Sequence, residues 1–366
     1  MSDGTLVRVG LIGCGRVSGH HGRSMALLPE VELVAVCDLD MNRAQSYADE
    51  FGARAYQDYR KMLTDHPEID TVAIVTPSGM HFEHALEIVE KFQRHLIVEK
   101  PTFMNVDQLD QVYKAAEERA RSVYPVFQNR HNLAVQRVKK GLINGELGAL
   151  RVASVRVRWC RPQAYYDLAE WRGTFSMDGG CLTNQGIHHI DLLRFFGGEV
   201  AEVSARMKTL GAEVEVEDTV VGSAVFTSGA LASLEVTTAA RPDDFEASIS
   251  LVCDQGVARI GGKAVNELEL YTPDPEACAS YSEDFTGSVY GNGHRILYEE
   301  ILADRKNLQA FSVGREDNRK TIELLNAFYM ANEQQAWVSV ENAQSRLLGQ
   351  PDDTLATLYR TPQRDK

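Results

Sequence analysis

The stretch Val7-Arg8-Val9-Gly10-Leu11-Ile12-Gly13-Cys14-Gly15-Arg16-Val17-Ser18-Gly19 decides the first half of the chain. An apolar run of strand length breaks at Gly13-Cys14-Gly15, which reads as a buried strand ending in a tight turn and opening a helix. The pattern is G-x-G-x-x-S. Gly13 permits the turn, and Gly15 lets the backbone approach a pyrophosphate that the helix N-terminus binds through free N–H groups. Ser18 replaces the third glycine and is small enough for close helix–strand packing.

Outward from this stretch, strand and helix alternate. Glu32 to Cys37 is a second apolar run ending at Asp38, followed by a helix over Met41 to Phe51. Thr71 to Val75 ends at Thr76-Pro77-Ser78, with helical residues from His81 to Phe92 behind it. His95 to Val98 ends at Glu99-Lys100-Pro101. A helix over Val106 to Arg119 and a strand over Val123 to Gln128 complete the series. Continuous apolar strands separated by helices predict a parallel sheet covered on both faces, which binds ligands at its carboxyl strand ends. Asp38, placed to accept hydrogen bonds from ribose hydroxyls, favours NAD; Arg43 nearby keeps NADP open.

After Asn129 the pattern changes. A helix is expected over Leu133 to Asn144. Alternating strands are expected over Leu150 to Trp159, Glu199 to Lys208, Asp218 to Phe226, Ala230 to Thr238, Glu246 to Cys253 and Gly256 to Ile260. Late helices read over His294 to Asn307 and Arg315 to Asn332. The expected fold class is α/β: an N-terminal Rossmann domain over 1–128 and a C-terminal α+β domain with a mainly antiparallel, open-faced sheet over 129–349. A polar tail, read as partly disordered, follows over 350–366.

Composition agrees. The 366 residues carry a formal net charge of −14, with 44% hydrophobic and 25% charged residues. That is an ordinary globular balance, and its acidity opposes general binding to nucleic acid or anionic membrane. The six cysteines include no C-x-x-C pair, as expected of free thiols in a reducing cytoplasm. No apolar run reaches the length of a membrane span, and the first residues lack a basic leader pattern.

Gly13-x-Gly15-Arg16, Thr76-Pro77-Ser78…His81 and Glu99-Lys100-Pro101 resemble the glucose–fructose oxidoreductase / inositol dehydrogenase / rhizopine catabolism (Gfo/Idh/MocA) family. So does Gly179-Gly180-Cys181-Leu182-Thr183-Asn184-Gln185-Gly186-Ile187-His188-His189-Ile190-Asp191. The resemblance implies NAD(P)-dependent oxidation of a sugar-like secondary hydroxyl at a site between the domains. It also implies a homodimer or homotetramer covering the open sheet. Lys100 matches the family's catalytic lysine and His188 its histidine, while Asn184 stands where many members have Asp. Asn can orient a hydroxyl but cannot act as a base, so proton abstraction falls to His188 with help from Lys100.

The expected cofactor contacts are Gly13, Gly15, Arg16, Val17, Asp38, Arg43, Thr76, Pro77, Ser78, His81, Glu99 and Lys100. The expected substrate contacts are Tyr166, Trp171, Arg172, Asn184 and His188, in loops suited to stacking a sugar face and binding a phosphate or carboxylate. Arg130, Arg158 and Arg161 add positive charge in this reading. Gly291-Asn292-Gly293-His294-Arg295 reads as a phosphate-binding or cleft-closing turn. No metal is expected, and His20 and His21 read as packing or capping the glycine loop. The substrate class is a sugar or nucleotide sugar. The alternatives are a cyclitol dehydrogenase, an NAD-dependent glycosidase and a non-catalytic cofactor-binding sensor.

Overall fold

A computed structural model describes residues 6–285 and 290–361. The last five residues of the expected tail, 362–366, lie outside it, as do 1–5. Contacts divide the chain into two units: 1–126 with 294–319 and 351–366, and 127–293 with 320–350.

The first unit is built on a six-stranded parallel sheet. Its strands are β1 (Val7–Ile12), β2 (Val31–Cys37), β3 (Arg54–Tyr56), β4 (Thr71–Ile74), β5 (His95–Val98) and β6 (Val123–Pro125). The order is β3-β2-β1-β4-β5-β6, the doubly wound arrangement with its switch point between β1 and β4. β1, β4 and β5 are almost wholly buried, which explains their largely apolar runs. Val9, Leu11, Ala73 and Ile97 join one core with Tyr124, Leu297, Tyr298 and Ile301.

That core corrects the expected domain assignment. Residues 294–319, read as part of the second domain, group with the first unit because the helix Gly293–Arg305 supplies core side chains to it. The tail is likewise ordered over its described part. It forms a helix over Asp353–Thr357, and Arg360 pairs with Glu83 at 2.9 Å. β3 and the helix Tyr59–Asp65 were not foreseen; β3 has three residues and too little pattern to read.

The second unit carries an eight-stranded mixed sheet: β7 (Leu150–Arg158), β8 (Val200–Lys208), β9 (Thr219–Phe226), β10 (Leu231–Thr237), β11 (Glu246–Cys253), β12 (Val257–Gly261), β13 (Glu267–Tyr271) and β14 (Val338–Ser339). Its order is β13-β12-β11-β7-β10-β9-β8-β14. β7 and β10 run parallel, and every other pair is antiparallel. All six strands expected from alternation are present, while β13 and the two-residue β14 were missed. Val155, Val157, Leu234, Val236, Ile249 and Leu251 fill the buried face. Val152, Val221, Leu231 and Val252 stand exposed on the other, as an open-faced sheet requires. Among the described residues, no helix is long and apolar enough to cross a membrane.

Candidate active site

In the first unit the glycine turn is set by sterics. Gly13 has φ +95°, and a Cβ there would lie 2.5 Å from the Val75 carbonyl oxygen. No other residue fits that close strand crossing. At Gly15 a Cβ would meet nothing within 4 Å, so the backbone faces open space. The hydroxyls of Ser18 and Tyr47 each donate to the Gly15 carbonyl at 2.6 Å, which holds the loop from behind. The helix Ser18–Ala26 begins after Val17 with no side-chain cap, leaving its first N–H groups for a ligand. Arg16 is exposed beside it.

Asp38 follows β2 at the loop's edge. Its Oδ2 accepts the Cys14 N–H at 2.8 Å and its Oδ1 accepts the Asp40 N–H at 2.9 Å. These bonds tie the acidic residue to the glycine turn and leave further lone pairs for a diol. Arg43 approaches Asp38 at 3.8 Å and is half exposed. A tight Gly13, an open Gly15, an uncapped helix and a fixed carboxylate together fit a dinucleotide. Desolvation, with the Asp38 charge adding, pushes the Cys14 thiol up to about 12, so it is inert.

Thr76, Pro77 and Ser78 follow β4, and Ser78 opens a single 3₁₀ turn. His81 is fully buried, with Nδ1 2.9 Å from the Pro101 carbonyl and Nε2 3.0 Å from the Thr76 carbonyl. Expected as a cofactor contact, it instead braces the ends of β4 and β5. Burial lowers its pKa, and a neutral ring can donate to one of those carbonyls at a time.

Lys100 follows β5 and is half buried. Glu99 beside it turns inward: Oε2 accepts the Lys100 N–H at 3.0 Å, and Oε1 lies 3.0 Å from His21 Nε2 and 3.3 Å from His294 Nε2. Burial would raise the Glu99 pKa, but the two imidazole hydrogen bonds outweigh it and hold the carboxyl well below its ordinary value. Glu99 is thus committed to protein partners rather than to the cofactor. His294 belongs to this cluster and not to a phosphate-binding turn.

In the second unit, Gly179 (φ +78°) and Gly180 (φ +85°) open the helix Gly180–Asn184, which the helix Ile187–Gly197 follows. A Cβ on Gly180 would lie 2.2 Å from Glu217, so the glycine pair admits this buried acid beneath the helix. Glu217 Oε1 accepts the Leu182 N–H at 3.1 Å and the Tyr329 hydroxyl at 2.7 Å. Desolvation outweighs these bonds and pushes its pKa up to about 8. Asn184 donates its amide to Asp178 Oδ1, while Asp178 Oδ2 accepts the Gly173 N–H at 2.7 Å. The amide at 184 is therefore held by a carboxylate.

His188 and His189 separate clearly. Gln128 Nε2 lies 3.2 Å from His188 Nε2. His189 is wholly buried edge-on to Trp159, and burial lowers its pKa to about 4. Asp191 receives a bidentate Arg130 at 2.7 and 2.6 Å together with the Thr321 hydroxyl at 3.0 Å.

The expected arginine cluster does not form. Arg130 is spent on Asp191, Arg158 on Glu235 and Glu246, and Arg161 on Asp244. Arg172 differs. Its guanidinium lies 4.3 Å from the Tyr165 ring centre and 4.6 Å from that of Trp171. Among the described residues its buried Nε has no hydrogen-bond partner. Tyr166 is buried, with its hydroxyl 3.0 Å from Thr238 Oγ1, a packing contact rather than an open sugar platform. Gln128, Asp178, Glu217, Tyr329 and the two histidines on Glu99 were not foreseen. Only Asp178 left a signal, next to the Gly179-Gly180 motif.

Residues 7–127 match the oxidoreductase family with an NAD-binding Rossmann fold, and residues 135–259 match the GFO/IDH/MocA C-terminal domain. The WlbA dehydrogenase from Bordetella pertussis, solved in complex with NADH and UDP-GlcNAcA, superposes with a TM-score of 0.87 at 33% identity. The match covers 93% of this chain and 99% of that one. Among curated relatives, D-glucoside 3-dehydrogenase of Escherichia coli is 28% identical over 253 residues, 64% of this chain and 70% of its own. The uncharacterized oxidoreductase YrbE of Bacillus subtilis is 27% identical over 232 residues, 62% of this chain and 65% of its own.

Proposed function

Because the chain belongs to the GFO/IDH/MocA family of NAD-binding oxidoreductases, we propose that it moves a hydride between NAD and a secondary hydroxyl of an anionic nucleotide sugar, with Lys100 and His188 as the acid/base pair. The observation that carries this reading is the likeness to WlbA, solved in complex with NADH and UDP-GlcNAcA, over nearly the whole of both chains. Within this chain, Arg172 supports an anionic substrate: it is a cation packed against two rings with no carboxylate partner among the described residues.

Bound NAD supplies the hydride acceptor at its nicotinamide. Gly13, Gly15, Val17 and the first N–H groups of Ser18–Ala26 would hold its pyrophosphate, and Asp38 its ribose. Removing a hydride from a carbinol leaves a proton to take. A histidine such as His188 suits that task, because imidazole titrates near working pH. The Lys100 ammonium stabilises the developing alkoxide. Asn184, its amide held by Asp178, would orient the hydroxyl. We further propose that the enzyme is cytoplasmic, and that a second copy covers the exposed sheet face carrying Val152, Val221, Leu231 and Val252.

The test is NADH formation with free sugars, inositols, UDP-sugars and UDP-sugar acids, with product masses recorded and light scattering for the assembly. Net oxidation of a UDP-sugar acid is the expected result. Oxidation of inositols alone would assign a cyclitol dehydrogenase. Glycoside cleavage without net NADH would assign a glycosidase, and cofactor binding with no turnover a sensor.

A further inference from the structure

The His21–Glu99–His294 cluster joins three distant pieces of the first unit. His21 lies in the helix that starts at the glycine loop, Glu99 follows β5, and His294 lies in the first turn of Gly293–Arg305. The bonds span 78 and 195 residues of sequence. All three side chains are buried, and Tyr298, also fully buried, places its hydroxyl 2.9 Å from His21 Nδ1.

Proton counting sets the direction of the chain. A carboxylate oxygen can only accept, so His21 carries a proton on Nε2, and on a neutral ring Nδ1 accepts the Tyr298 O–H. Nε2 then donates to Glu99 Oε1, an acceptor-only carboxylate oxygen. His294 Nε2 donates to the same oxygen. Glu99 Oε2 is left to receive the Lys100 N–H. A buried carboxylate is tolerated where its lone pairs are filled in this way.

We infer that His21 and His294 are positioning residues that act through Glu99: by holding one carboxylate oxygen they make the other pin the Lys100 amide, and so keep Lys100 in register with the nucleotide loop. This role rests on reading Lys100 as catalytic. The three ligand-type atoms also lie within 4.8 Å of one another, close enough to take a divalent ion instead of the protons. The test must separate the two.

The experiment compares His21→Asn and His294→Asn, which shorten the donor out of reach, with His21→Gln and His294→Gln, whose Nε2 donates from nearly the same place. The first readout needs neither substrate nor cofactor. It is the acetylation rate of Lys100 by acetic anhydride in the full-length protein, followed by mass spectrometry against exposed Lys91. The second is kcat and KM, alone and combined with Lys100→Met. Zinc content and melting temperature are measured on every sample.

The Asn variants should change Lys100 acetylation at least about threefold and lower kcat about tenfold or more, with KM for NAD moving far less. The Gln variants should restore both. Added to Lys100→Met, the Asn changes should cost little more. Wild-type acetylation in the Asn variants, losses fully additive with Lys100→Met, or stoichiometric zinc would each overturn the inference. If an Asn variant does not fold, Glu99→Gln replaces it, with the same acetylation change expected. If the wild type oxidises nothing, or Lys100→Met is as active as wild type, the proposed chemistry fails while the acetylation still decides the clamp.

Discussion

Asn184 donates its side-chain amide to Asp178, six residues earlier in the chain. A carboxylate thus stands one hydrogen bond behind the amide at position 184. The amide is thereby fixed. A hydrogen bond to a charged group is worth about 1.5–3 kcal/mol, so Asp178→Asn should lower kcat by roughly ten- to a hundredfold. Folding should persist, as read by melting temperature. An unchanged kcat would mean that Asp178 does not set the amide.

Lys100→Met and His188→Gln should each lower kcat by roughly 10²–10⁴, the usual worth of positioned acid–base groups. Melting temperature should stay near wild type. Wild-type turnover in both would remove the acid/base assignment.

Asp38→Ser should weaken NAD binding by about tenfold and narrow the preference for NAD over NADP, because the removed carboxylate disfavours a 2′-phosphate. Calorimetric titration of both cofactors checks this. Equal NAD affinity would confine Asp38 to bracing the Cys14 and Asp40 amides.

Arg172→Gln should raise KM for sugar acids by roughly ten- to a hundredfold while leaving neutral sugars within a few-fold. An equal effect on both would make Arg172 a packing residue between Tyr165 and Trp171.

Glu217 predicts a pH dependence of stability. Burial raises its pKa from 4.5 to about 8, so it stays protonated in the folded chain while the unfolded chain ionises. Stability is full below pH 4.5, falls as pH rises toward 8 by at most about 1.4 kcal/mol per pH unit, and then levels. Glu217→Gln keeps the acceptor for Leu182 and Tyr329 and removes the ionisation. Its thermal unfolding should lose this decline, and its advantage over wild type should grow between pH 5 and 8. Parallel profiles for the two proteins would show that Glu217 ionises at its ordinary pKa.

The first sheet was legible because buried parallel strands are written as largely apolar runs, and β1, β2, β4 and β5 are such runs. The alternation of β7 to β12 reports one wet face. The roles assigned to Arg130, Arg158 and Arg161 failed for one reason: a free cation and a paired cation look alike until Asp191, Glu235 and Asp244 are in place. His81 failed similarly, since nothing local says that two carbonyls occupy its ring.

By itself the sequence determined the fold class, the glycine turn, the acidic residue at the end of β2 and the family motifs around Lys100 and His188. These depend on periodicity and on residues within a few positions of each other. Only the tertiary structure decided that His294–Arg319 packs with the first unit, that Glu99 is clamped by His21 and His294, and that Asp178 and Glu217 support the Gly180–Asn184 helix. The long-range hydrogen bonds and apolar contacts among these form between segments far apart in the chain, and Asp178 meets Asn184 only once the turn at Gly179 has folded. Each leaves no period and no local propensity to read.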